Sequence, residues 1–145
     1  MNKKELLALA LLYVDSSREI EGVTRLQKLV FLTQEKAGLK IFNFKPYKYG
    51  PYSRPLYDTL DKLEKEGFIE STARRTRNDN EKHIYSITGK GQAAIKKFLE
   101  ESDVEGFMET ADRVKHRFNG KPLRELLQYV YHSYPEYAEN SKLDL

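Results

Sequence analysis

Leu63-Glu64-Lys65-Glu66-Gly67-Phe68-Ile69, answered further on by Tyr85-Ser86-Ile87-Thr88-Gly89-Lys90-Gly91, decides the fold. In the first stretch a helix with Leu56, Leu60 and Leu63 on its inward side runs into Gly67, where the chain can turn, and Phe68 with Ile69 opens an apolar strand. In the second, Tyr85 and Ile87 alternate with polar neighbours, and Thr88 ahead of two glycines turns the strand into a further helix. Strands are expected over Phe68 to Thr72 and His83 to Thr88, joined by a polar tip from Arg74 to Lys82. A β-hairpin therefore follows a helix directly.

Upstream of that helix, Ser53 is placed to cap it, with Pro55 tolerated in its first turn. Residues Lys40 to Arg54 hold five aromatics, two prolines, four basic residues and no acid, which predicts an ordered loop or a short strand. Pro46 and Pro51 forbid a continuous helix, and Tyr49-Gly50-Pro51-Tyr52 signals a turn. A second helix is expected from Thr24-Arg25-Leu26-Gln27, read as a capping box, through Leu29, Val30, Phe31 and Leu32 to Gly38, with Arg25 and Lys28 on its outer side. Glu5 to Val14 is almost wholly apolar and belongs inside other elements. Downstream, Ala94, Ile95, Phe98 and Leu99 share a face of a fourth helix. Two more helices are predicted, one striped by Val104, Phe107, Met108, Ala111, Val114 and Phe118, the other by Leu123, Leu126, Leu127, Val130, Tyr131 and Tyr134.

The 145 residues suit one domain, and 39% hydrophobic against 32% charged residues leave enough apolar surface for a real core. The absence of cysteine excludes a disulfide scaffold, a cysteine nucleophile and a thiolate metal site. The apolar run from Leu6 to Val14 lacks a small-residue cleavage signal, and no later span is long enough for a bilayer, so a cytoplasmic protein without membrane contact is expected. The net charge of +3 is too small to announce a nucleic-acid binder.

Three helices followed at once by a hairpin is the order of a winged helix-turn-helix, with Ser53 to Glu66 in the recognition position. The expected class is mostly α (α+β): a winged-helix core over residues 1–101, and a helical extension over 102–145 that packs on the core or forms a dimer seam. Thr24 to Leu32, Tyr47 to Ser53 and Tyr129 to Tyr137 resemble the uncharacterised YwgA-like proteins, and the first two stretches resemble the antitoxin-associated SocA or Panacea group more loosely. That resemblance implies a winged-helix core with appended helices and a role in regulation or in binding another protein, with no enzyme activity attached.

For DNA the candidate contacts are Lys45 and Lys48 on the backbone, Arg54, Tyr57 and Lys62 on the recognition helix, and Arg74, Arg75, Arg77 and Lys82 on the wing. Against this stand Asp58, Asp61, Glu64 and Glu66 on the same helix, because carboxylates facing phosphate repel. Arg113, Lys115, Arg117, Lys121 and Arg124 offer a second basic region. Phe107, Ala111, Val114, Phe118, Leu123, Leu127, Val130, Tyr131 and Tyr134 are the candidate dimer residues, with burial inside one chain as the other reading. His83, His116 and His132 are isolated, no Gly-x-Ser-x-Gly elbow or phosphate loop occurs, and neither catalysis, metal nor cofactor is expected. Two functions are consistent with this pattern: a transcriptional regulator that binds double-stranded DNA, acting as a homodimer, or a protein-interaction module that keeps the core without reading DNA.

Overall fold

A computed structural model of the chain describes residues 1–75, 81–101 and 105–143. The apolar N-terminal segment becomes α1 (Lys3–Ser17), opened by a capping box in which Asn2 accepts from the Glu5 amide and Glu5 answers the Asn2 amide. Leu7 to Leu12 are completely buried, so α1 is the axis on which the other helices are laid. Its regular winding fails at Val14, and Asp15, Ser16 and Ser17 follow with φ near +55°. A helix end buried at such a break leaves carbonyls without partners. Lys115 supplies them, its ammonium donating to Leu12 O at 3.4 Å and Val14 O at 2.9 Å.

Lys115 lies on α5 (Glu105–Phe118) and is fully buried, so it leaves the basic region read from the sequence and becomes a helix cap. Burial pushes its ammonium down to about 8, against the pull of Asp15 and Asp112. With the folded value below the ordinary 10.5, the unfolded chain binds more protons between those limits. Stability therefore climbs as pH rises from about 8 to 10.5, by at most about 1.4 kcal/mol per unit for one proton. Lys115→Met should lose this one-proton share of the climb, leaving the share of Lys28, which burial pushes down to about 7, and should cost about 2 kcal/mol through the stranded carbonyls, read by urea denaturation at pH 7 and pH 10. An unchanged climb would remove Lys115 as its source.

The hairpin is β4 (Ile69–Arg75) against β5 (Glu81–Ile87), in register from Ile69 opposite Ile87 to Arg75 opposite Glu81. A third strand completes it. Ile20 and Glu21 form β1, antiparallel to β5, so the order is β1-β5-β4 and the polar break after α1 is a sheet edge. Two residues are too few to show an alternation, and only the complete burial of Ile20 betrays the strand.

The second helix, α2 (Val23–Ala37), starts two residues earlier than the capping box predicts, with Gly22 in place of Thr24 as an N-cap that has no side-chain bond. Thr24 lies inside the helix, and Gln27 is drawn away. Its amide donates to Ser53 O and its carbonyl accepts from Ser53 N, both at 2.9 Å. Nor do Arg25 and Lys28 stay outside. Arg25 is buried and donates to Phe118 O and Asn119 O at the end of α5, while Lys28 is only 2% exposed. Residues 40–54 resolve into a second hairpin, β2 (Lys45–Tyr47) and β3 (Gly50–Tyr52), with Lys45 opposite Tyr52. The recognition helix α3 (Arg54–Lys65) follows it.

After the wing come α4 (Gly89–Glu101), α5, α6 (Leu123–Ser133) and a 3-10 turn over Pro135–Tyr137. One apolar cluster joins α1, α2 and α3 to Ile95, Ala111, Val114, Phe118, Val130 and Tyr131. The candidate dimer residues divide accordingly. Ala111, Val114, Phe118, Leu127, Val130 and Tyr131 are buried within the chain and have no surface to offer a second copy. Phe107 and Tyr134 are half-buried, and Leu123 is 38% exposed. Phe31 is the anchor here, with edge contacts to Phe44, Tyr134 and Tyr137 at 4.8–5.2 Å between ring centres.

Candidate nucleic-acid interface

The start of α3 is fixed twice over. Ser53 Oγ accepts from the Leu56 amide at 3.2 Å, Pro55 occupies the first turn, and the Gln27 side chain holds both backbone groups of Ser53. Ser53 and Gln27 are wholly buried, so this clamp works away from water, where an unmade bond is expensive. Gln27→Leu should cost about 2–3 kcal/mol. Because the clamp orients α3, DNA affinity should fall as well; a thermal melt identical to the parent's would show the clamp to be idle.

Around this helix start the chain gathers aromatic rings and cations. Tyr47 and Tyr52 lie 5.3 Å apart between ring centres, Lys48 is over the Tyr47 ring at 5.9 Å, and Arg54 is over Tyr57 at 5.6 Å. Burial pushes the Tyr52 hydroxyl above its ordinary value, offset in part by Arg54. Lys45 and Lys48 are exposed, and neither has a carboxylate partner among the described residues. Tyr47 at 51% and Tyr57 at 44% exposure leave open rings on which a base or sugar can rest. The hairpin and the first turn of α3 thus make one basic, aromatic patch.

The remaining candidate cations are engaged differently. Arg54 bonds Asp58 at 3.0 Å, and Lys62 reaches Glu5 at 3.6 Å and Glu66 at 4.0 Å. On the wing Arg74 pairs with Glu19 at 3.5 Å and Lys82 with Glu21 at 3.3 Å. Arg75 is exposed at the end of β4, and Arg77 lies outside the described residues. Pairs of this exposed kind are worth about 0–1 kcal/mol, so a phosphate can displace either carboxylate at small cost. Their effect is on the field. Glu19 and Glu21, which sequence reasoning passed over, mute the wing.

Between patch and wing runs a groove of about 240 Å³ lined by Tyr57, Asp61, Glu64, Ser71, His83 and Tyr85. The structure therefore brings Lys45, Lys48, Arg54 and Tyr57 together and leaves Arg74 and Lys82 on the far side of an acidic strip. Carboxylates there disfavour phosphate but accept from cytosine amino groups. The second basic region keeps Arg113 and Arg117, which line a cleft of about 440 Å³ with Lys36. Lys36 donates to Tyr129 at 2.7 Å and lowers the Tyr129 hydroxyl below its ordinary value.

Among the described residues no three His, Asp or Glu side chains gather to hold a metal ion, and no helix is long and apolar enough to cross a membrane. No curated protein matches the chain. Residues 48–97, from the turn between β2 and β3 to within α4, match the transcriptional regulator PadR-like family. That family consists of winged-helix DNA-binding regulators, and the matched segment holds the first turn of α3, the acidic groove and both wing strands. Over these fifty residues, α3 and the wing, the chain is thus similar to the PadR-like transcriptional regulators.

Proposed function

We propose that this protein is a transcriptional regulator that holds double-stranded DNA through the hairpin and the first turn of α3, with Lys45, Lys48, Arg54 and Tyr57 as the main contacts. The reading is carried by the joint presence of a winged-helix order and a basic, aromatic patch at the start of its recognition helix, of which Lys48, Tyr52, Arg54 and Tyr57 fall inside the segment similar to DNA-binding regulators and Lys45 and Tyr47 just ahead of it. Lys62, Arg74, Arg75 and Lys82 serve as secondary phosphate contacts, gained by exchanging their carboxylates or neighbours. A homodimer belongs to the proposal only through what the last helices leave outside: Leu123 and the half-buried Phe107 and Tyr134.

The finer kinship with the YwgA-like proteins is inferred from the three sequence stretches alone. The three stretches that resemble the YwgA-like proteins meet in space: Gln27 holds Ser53, the Tyr131 ring lies against Gly50, and Phe31 packs on Tyr134 and Tyr137. Residues far apart in the chain thus form one joint behind the recognition helix. We place the protein in the cytoplasm.

The experiment is a competition between duplex DNA from the protein's own upstream region and random duplex, followed by fluorescence anisotropy at physiological salt. A specific reader should prefer its own site by at least about a thousandfold. Equal affinity for both would leave an unspecific binder and refute a regulator that reads sequence.

A further inference from the structure

Beyond the 3-10 turn the chain returns to the β2–β3 hairpin. The Lys142 amide donates to Lys48 O at 2.9 Å and the Asn140 side-chain amide to Pro46 O at 3.4 Å, so residues 140–143 run along the strand and turn that carry the Lys45 and Lys48 patch. A short segment near a chain end keeps such a course only when it is tied down, and Ser141 ties it. Its hydroxyl has one hydrogen and two lone pairs. The hydrogen goes to Leu143 O at 3.3 Å, and the oxygen accepts from the Leu143 amide at 3.0 Å and lies 2.7 Å from the Tyr131 hydroxyl, which is therefore the donor there. Every bond that Ser141 Oγ can make is made.

Tyr131 is itself fixed. It is 6% exposed on α6, and its ring lies so close to the hairpin that a Cβ on Gly50 would stand 2.9 Å from Tyr131 Cε1. Gly50 also has a φ of +86°, a conformation that glycine adopts at no steric cost. One tyrosine thus supports the hairpin with its ring and the returning segment with its hydroxyl.

The segment also brings charge. Its bond to Lys48 O sets the Lys142 backbone beside that of Lys48, and the Lys142 side chain is exposed, with no carboxylate partner among the described residues. Glu139, just ahead of the segment, makes no ion pair with Lys45, Lys48 or Lys142. Three unneutralised lysines on one small hairpin and its strap suit the closely spaced phosphates of a duplex. We propose that residues 140–143 belong to the DNA-binding surface: their backbone fixes the hairpin in the position from which it meets the duplex, and Lys142 adds a third phosphate contact to Lys45 and Lys48. The contact rests on the DNA-binding reading above, and the anchoring of the hairpin does not.

Hydrogen exchange of the full chain tests the anchoring without DNA. The Lys142 amide should exchange at least about tenfold more slowly than in an unstructured peptide, and Tyr131→Phe, which keeps the ring on Gly50 and removes only the hydroxyl, should lose most of that protection. An unprotected Lys142 amide in the wild-type protein would overturn the anchoring whether or not the variant folds, and full protection in a folded Tyr131→Phe would remove Tyr131 from it. Fluorescence anisotropy on a random duplex tests the contact. Lys142→Gln should bind about three- to tenfold more weakly at low salt, with a salt slope smaller by about 1, and Lys142→Arg should bind like the wild type. Tyr131→Phe should also bind more weakly but with the slope unchanged, because it frees the hairpin and removes no charge. Lys142→Gln binding as tightly as the wild type refutes the contact and leaves the DNA reading standing. A wild-type protein that binds no duplex refutes the DNA reading and the contact with it, while hydrogen exchange still decides the anchoring.

Discussion

Gly91→Ala should lower the melting temperature by about 10–15 °C, the largest loss of stability we expect from any single methyl group in this chain. Gly91 opens α4 where that helix leaves the wing, its amide donating to Thr88 Oγ1 at 3.1 Å. A Cβ there would run into the carbonyl oxygen of Phe68 and stand 2.7 Å from Ile87 Cγ1. The Phe68 carbonyl cannot retreat, because it accepts the Thr88 amide at 3.1 Å and so ties the two strands together. Overpacking against backbone of this kind costs about 3–4 kcal/mol, a large part of the total stability of a domain this size. Gly89→Ala is the control, since a Cβ at Gly89 meets nothing within 4 Å. Circular dichroism melts of both variants check the account: Gly89→Ala should melt within a few degrees of the parent, and similar melts for the two would contradict the close approach of α4 to the wing.

Lys45→Glu combined with Lys48→Glu should weaken DNA binding on every sequence by on the order of a hundredfold at low salt, and should reduce the salt slope by about 2. Both lysines are exposed and without carboxylate partners among the described residues, so their reversal changes the field at the start of α3 and leaves the core untouched. The complementary variant has the opposite sign. Glu19→Gln with Glu21→Gln releases Arg74 and Lys82 from pairs of 3.5 and 3.3 Å and should tighten binding several-fold. Anisotropy on one random duplex reads both. Unchanged affinity in the lysine pair would remove the hairpin from the interface, and weaker binding in the glutamate pair would remove the wing.

What could be read from the chain depended on how locally each feature is determined. Ser53 ahead of Pro55, Gly67 after Leu63, and the alternation at Tyr85 and Ile87 act over a few residues, and the helix and wing they predict are present. Side-chain destinations are settled by elements far away. Gln27 is bonded to a residue 26 positions on, and Lys115 to carbonyls about a hundred positions back, so neither a failed capping box nor a buried lysine leaves a mark on the local pattern. The muting of α3 was more accessible. Arg54 with Asp58 and Asp61 with Lys65 are spaced by four residues on a helix, the separation at which opposite charges meet. The muting of the wing was not, because Glu19 and Glu21 reach it only through β1, a two-residue strand that periodicity cannot detect.

A patch of hairpin and α3 residues that holds DNA by its phosphates must bind it with an affinity that falls as salt rises. Anisotropy of the wild-type protein with a duplex from its own upstream region, from about 50 to 200 mM salt, should give a linear fall of log affinity against log salt, with a slope corresponding to about three to six phosphate contacts. No binding at the lowest salt, or binding that is indifferent to salt, would contradict the account and transfer the acidic groove and its flanking patch to a protein partner.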